Sequence, residues 1–148
     1  MGDKKSVQRI LSEVVSGRHK VVTEDLAKQI LSVYGLQVPP YVMVNSAQQA
    51  AKESASIGFP QVAKVVSQMI LHKTEVKGVK TGLTSEGEVV NAFNDMNDRL
   101  KKDFEIRGIL LEKMVPSGVE LIVGLQNDPQ FGPVIMCGLG GVYTELFK

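Results

Sequence analysis

Apolar residues at Val7, Ile10, Leu11, Val14 and Val15 recur at helical spacing and predict an amphipathic helix over residues 4–16, broken by Gly17. A second helix is predicted from Thr23, a candidate cap. Glu24 and Asp25 suit its positive end, Leu26, Ile30 and Val33 form its buried stripe, and Tyr34-Gly35 stops it. Pro39-Pro40 forbids helix and hands over to an extended Tyr41-Val42-Met43-Val44. Ser46 and Gln49 read as a capping box for a helix running to Ile57, with Gly58 as its left-handed C-terminal residue. Pro60 precedes a strand from Gln61 to Val66, and the loop 67–77 leads to a short strand around Val79 to Leu83. Ser85 and Glu88 form a second capping box, opening a helix whose Val89, Phe93, Met96 and Leu100 face inward.

The last third changes character. Two strand-like runs, 108–115 and 119–125, are joined by Pro116-Ser117-Gly118 and predict a hairpin. Asn127-Asp128-Pro129 signals a turn, followed by a strand from Pro133 to Cys137, a loop Gly138-Leu139-Gly140-Gly141 and a final extended run from Val142 to Phe147. Helices alternating with strands predict an α/β or α+β fold with a mixed sheet.

The 148 residues can bury one core, or one and a piece of another. With 17 basic against 16 acidic residues the net charge is +1, which excludes a broad field for nucleic acid or an anionic membrane. Any anion site must be local. The single Cys137 allows no internal disulfide and is expected to be a small core residue in a reducing cell. The N-terminal Met1 to Ser6 is polar, and no run approaches the roughly 20 apolar residues of a membrane-spanning helix. A cytoplasmic protein is expected.

Four places carry candidate chemistry. Lys64 lies inside Val62-Ala63-Lys64-Val65-Val66, where an ammonium facing a core requires an anion; otherwise it lies on the solvent face of an alternating strand. His72 offers an imidazole lone pair at neutral pH, able to attack phosphorus or act as a base, with Lys73 and Lys77 at hand to balance phosphate charge. The bland alternative is a solvated surface histidine, the only reading for His19 between Arg18 and Lys20. Gly78, Gly82 and the glycines of 138–141 could bring backbone amides to phosphate oxygens or simply make tight turns; no Walker or Rossmann fingerprint is present. Glu112-Lys113-Met114-Val115 followed by Glu120 could present backbone groups to an adenine edge and a carboxylate to ribose hydroxyls, or form a solvent-edged hairpin.

Taken together, Ala27-Lys28-Gln29-Ile30-Leu31, Tyr34 to Pro39, Gly58-Phe59-Pro60 with Val62 to Ser67, Ile70 to Thr74, Gly78-Val79-Lys80, and Asp128 to Pro133 with Gly138 to Gly141 resemble the ATP-grasp domain of the ADP-forming acyl-CoA synthetases. The likeness runs from about Thr23 to the end. It implies an ATP-grasp fold, first lobe plus part of the second: an N-terminal helical extension over 1–22, the first lobe with the His72 loop over 23–107, and the hinge with an incomplete second lobe over 108–148. It further implies an acid–thiol ligase that makes ATP from acyl-CoA, ADP and phosphate through an acyl phosphate and a phosphohistidine. By the resemblance His72 is the relay histidine, Lys64 and Gly78 serve the nucleotide phosphates, Glu112, Lys113 and Val115 form the adenine hinge, and Glu120 binds the ribose. The cofactors implied are ATP or ADP and Mg2+, with metal ligands expected beyond Lys148, so the chain reads as C-terminally truncated. The partner implied is a CoA-binding α subunit that supplies the acyl phosphate, and an oligomer is expected. Gln68-Met69 stands where the family commonly has Pro and a polar residue, and Glu75 where it has Asp. A degenerate ATP-grasp module that binds nucleotide for regulation, without catalysis, is the alternative.

Overall fold

The computed structural model describes residues 4–17 and 21–141, which fall into two compact units, Met1–Val115 and Pro116–Lys148. The first unit runs α1 (Lys4–Ser16), α2 (Glu24–Val33), β1 (Tyr41–Val44), α3 (Ala47–Ile57), β2 (Gln61–Val66), β3 (Val79–Leu83), α4 (Glu86–Leu100) and β4 (Gly108–Lys113). The second holds β5 (Leu121–Asp128) and β6 (Gly132–Leu139).

The four strands of the first unit lie in the order β1-β4-β2-β3, and every neighbouring pair is antiparallel, where a mixed sheet was expected. The crossover through α3 leaves a gap between β1 and β2, and β4 fills it. This corrects the predicted hairpin between the runs 108–115 and 119–125: β4 pairs with β1 and β2, whereas β5 pairs with β6 in a separate two-stranded ribbon. The strand expected to open the second lobe is therefore central to the first sheet.

One face of that sheet carries the core. Ala63 and Val65 of β2 and Ile109 and Leu111 of β4 alternate onto it and meet Val89, Phe93 and Met96 of α4 and Ala50 of α3. The predicted inward stripe of α4 is buried in full. Both capping boxes form in part: Ser46 Oγ accepts from Gln49 N at 3.1 Å and Ser85 Oγ from Glu88 N at 3.3 Å. The return bonds come one residue early, from Asn45 N to Gln49 Oε1 and from Thr84 N to Glu88 Oε2. Thr23 occupies the N-cap of α2 but makes no side-chain cap; its hydroxyl instead accepts from Arg107 at 2.9 Å. The buried member of α2 is Asp25, ion-paired with Arg107 at 3.6 Å, while Leu26, Ile30 and Val33 are only half-buried.

In the second unit Cys137 is exposed, opposite Val123 in the ribbon, and not a core residue as expected. A two-stranded ribbon has two faces and no helix of its own to cover either. His19 and the final run 142–147 lie outside the described residues.

Candidate functional site

The sheet face opposite the core holds the chemistry. The β2–β4 register pairs Lys64 with Leu110 and Val62 with Glu112, so Lys64 and Glu112 share one face as diagonal neighbours. Helix α2 presents Glu24 and Lys28, one helical turn apart, to the same two residues.

The result is a five-residue ion cluster. Lys64 Nζ lies 2.7 Å from Glu24 Oε1 and 3.5 Å from Glu112 Oε2; Lys28 Nζ lies 2.7 Å from Glu112 Oε2 and 3.8 Å from Glu24 Oε1. Lys73, from the loop after β2, donates to the other oxygen of Glu24. Each of these side chains is between 10% and 23% exposed, so water screens them only partly. Three ammonium groups face two carboxylates, and one positive charge is left over to attract an anion. Burial pushes the Glu24 carboxyl up, but hydrogen bonds from and the charges of Lys64 and Lys73 outweigh it and hold the group below its ordinary value. Burial chiefly, with Asp25 and Glu112 behind it, pushes the Tyr41 hydroxyl up, and Lys28 sits 5.8 Å from that ring.

The loop that carries Lys73 also carries His72, which is exposed between exposed Leu71 and half-buried Lys73. Both ends of this loop are tied down. Ser67 Oγ donates to Glu105 O at 2.7 Å and accepts from Met69 N, and Gln68 Nε2 donates to Val21 O. At the far end Arg99 of α4 donates to Val76 O at 2.6 Å and Lys77 O at 2.9 Å. Between Glu24, Lys73, Ser67 and Ile70 lies a half-open cleft of about 230 Å³.

The other sequence-derived candidates fare differently. The Gly78 amide donates to Lys73 O at 2.6 Å, and a Cβ there would meet Val65 Cγ1 at 2.5 Å; the glycine closes the loop onto β2. Glu112 turns its carboxylate into the ion cluster, Lys113 Nζ donates to Phe59 O, and Val115 is exposed at the end of the first unit. Glu120 lies in the second unit, exposed, with its carbonyl accepting from Gly140 N at 2.8 Å. Sequence reasoning missed Glu24 as a member of the site, treating it as a helix-end charge, and quoted Lys28 only within a motif. Their spacing of four ahead of a lysine enclosed by apolar residues was the available signal.

The family of ATP-grasp domains matches residues 13–148. The β subunit of ADP-forming acetate–CoA ligase I from Pyrococcus furiosus is 36% identical over 99% of this chain, and the chain spans 64% of that subunit. The ADP-forming 4-hydroxybutyrate–CoA ligase of Nitrosopumilus maritimus is 37% identical over 99% of the chain, which covers 21% of that protein. A solved structure of acetyl-coenzyme A synthetase 1 from Ca. Korarchaeum cryptofilum, in complex with coenzyme A and a calcium nucleotide analogue, superposes with a TM-score of 0.87 at 43% identity. That match covers 96% of this chain and 63% of the other. The chain belongs to the ATP-grasp domain family.

Proposed function

We propose that the chain is the nucleotide-binding part of an ADP-forming acyl-CoA synthetase, an acid–thiol ligase, and that His72 relays a phosphoryl group between an acyl phosphate and ADP. The observation that carries this is the joining of an exposed histidine to a lysine cluster with one surplus positive charge, through the adjacent Lys73. Relatives named as ADP-forming acetate–CoA ligases support the reaction class. Structures of the Korarchaeum enzyme described as having a phosphorylated phosphohistidine segment, or that segment pointing towards the nucleotide binding site, support the relay.

In the forward step an imidazole nitrogen of His72 attacks the phosphorus of the acyl phosphate. The P–O bond to the acyl carboxylate breaks, the carboxylic acid leaves as its anion, and the ring gives up its single N–H proton to solvent. A terminal oxygen of ADP then attacks the phosphohistidine, the P–N bond breaks as the ring takes a proton back from solvent, and ATP forms with neutral His72 restored. Lys64 holds the nucleotide phosphates and Lys73 balances charge beside His72, so catalysis rests on positioning and electrostatic stabilisation. Lys113 and Val115 serve the adenine through backbone groups at the end of β4, Glu112 being engaged in the ladder on both sides, and Glu120 serves the ribose. A CoA-binding α subunit supplies the acyl phosphate. Structures of relatives carry magnesium or calcium nucleotide analogues. Among the described residues no group of three or more His, Cys, Asp or Glu gathers to hold a metal ion.

The test is phosphate transfer from γ-labelled ATP to the chain in the presence of its α partner and magnesium. Acid-labile label is expected on the wild type and absent from His72→Asn, with nucleotide binding retained in both. Label that persists in the variant overturns the assignment. Nucleotide binding with no label on the wild type favours a regulatory module instead.

A further inference from the structure

Glu24 is shared between two elements with different tasks in the proposed reaction. Its Oε1 accepts from Lys64 on β2 at 2.7 Å, and its Oε2 accepts from Lys73 on the His72 loop. Resting on the relay reading above, we infer that Glu24 is a positioning residue which couples the phosphate-holding lysine to the loop that carries His72.

The middle of this loop is held by buried Ile70, by the Gly78 N–H bonded to Lys73 O at 2.6 Å, and by the Lys73 side chain on Glu24. Its ends are fixed by Ser67 and Gln68 on one side and by Arg99 on the other. Leu71 and His72 are exposed, and the Lys73 side chain is the element of that stretch fastened to the body of the unit by charge. Glu24 cannot be spared from Lys64 without consequence either, because the second carboxylate, Glu112, stands 3.5 Å from Lys64 and is closer to Lys28 at 2.7 Å. An anion arriving at Lys64 therefore competes with Glu24 Oε1. A carboxylate that loses one of its two lysines turns more fully to the other, so occupation at Lys64 and seating of the His72 loop are linked, and linkage acts in both directions.

The test has two arms. In the chain alone, backbone 15N relaxation of residues 70–75 reports loop order. Rigid order parameters near ~0.85 are expected in the wild type, falling below about 0.6 in Glu24→Gln and in Lys73→Met, with the double variant no looser than either single. Unchanged order parameters in both single variants overturn the inference, whatever becomes of His72 phosphorylation. If Glu24→Gln loosens α2 as well, Lys73→Met, which leaves α2 intact, decides. In the assembly with the α partner, Glu24→Gln is expected to lower kcat for His72 phosphorylation about 10-fold while KM for ATP holds or falls, since Lys64 is released. Glu24→Asp should recover part of kcat. A merely structural role would raise KM and lower thermal stability together, and that pattern sinks the coupling. Absence of wild-type label would fail the relay reading and leave the relaxation arm to judge Glu24 by itself.

Discussion

The Lys28 ammonium lies 2.7 Å from the Glu112 carboxylate and so ties α2 to the central strand β4 across the face opposite the core. Glu112 is buried and serves as counter-ion to Lys28 and Lys64 together. Its backbone lies in the ladder between β1 and β2, so any adenine contact falls to Lys113 and Val115 at the end of the strand. Glu112→Gln leaves three lysines with one carboxylate and is expected to destabilise the unit by about 3–5 kcal/mol, the scale for breaking a buried pair. Urea denaturation measures it, and an unchanged midpoint would mean that the Glu112 pairs do not hold α2 to β4.

Lys64→Met should behave in the opposite way. Lys28 and Lys73 remain to neutralise both carboxylates, and the Lys64 side chain is 22% exposed. A stability loss below about 1 kcal/mol is expected. Nucleotide binding should weaken by roughly 1.5–3 kcal/mol, the worth of a charged hydrogen bond. Calorimetric titration with ADP checks the second figure, and equal affinity would remove Lys64 from the phosphate site.

The depressed Glu24 carboxyl sets a pH dependence. Its folded value lies below the ordinary 4.5, burial opposing and Lys64 and Lys73 prevailing. Its contribution to stability is thus complete above the ordinary carboxylate range and is lost as pH falls through the lowered folded value. Thermal denaturation between neutral and acid pH should show a steeper loss for the wild type than for Glu24→Gln. Parallel curves would mean that Glu24 is not held ionised by its lysines.

Gly78→Ala should cost about 1–3 kcal/mol by overpacking, because the new Cβ would sit 2.5 Å from Val65 Cγ1 and 3.1 Å from Lys73 O. The same change should disturb the Lys73 turn and so lower His72 phosphorylation. Chemical denaturation together with the labelling assay tests both, and a stable variant with normal label would show that the loop closes without this contact.

What the sequence disclosed follows the range of the interactions. The caps at Ser46 and Ser85 and the inward stripe of α4 depend on residues three or four apart, and they were legible. The partner of β4 was not, since insertion between β1 and β2 is decided by distant strands, while a Pro-Ser-Gly link beside it imitates a hairpin. Lys64 was legible only as a lysine that either meets an anion or faces solvent; the structure decides for the anion, two carboxylates. Glu24 and Glu112 became visible as its counter-ions only when α2 packed over the face shared by β2 and β4. Thr23 shows the same limit, a good capping residue diverted by Arg107 from far along the chain.

The β5–β6 ribbon supports a final prediction, self-association of the chain. Leu125 and Ile135 are cross-strand partners, each 74% exposed, with Val123 at 69% and Met136 at 57%. Exposed apolar side chains of this density on a two-stranded ribbon favour burial against another surface, at about 25 cal/mol per Å² removed from water. Sedimentation velocity of the chain should show concentration-dependent association. Leu125→Lys with Ile135→Lys should shift it toward monomer without lowering the unfolding midpoint of the first unit. Persistence of the oligomer in that double variant would move the contact elsewhere, and a wild type that stays monomeric at high concentration would refute it.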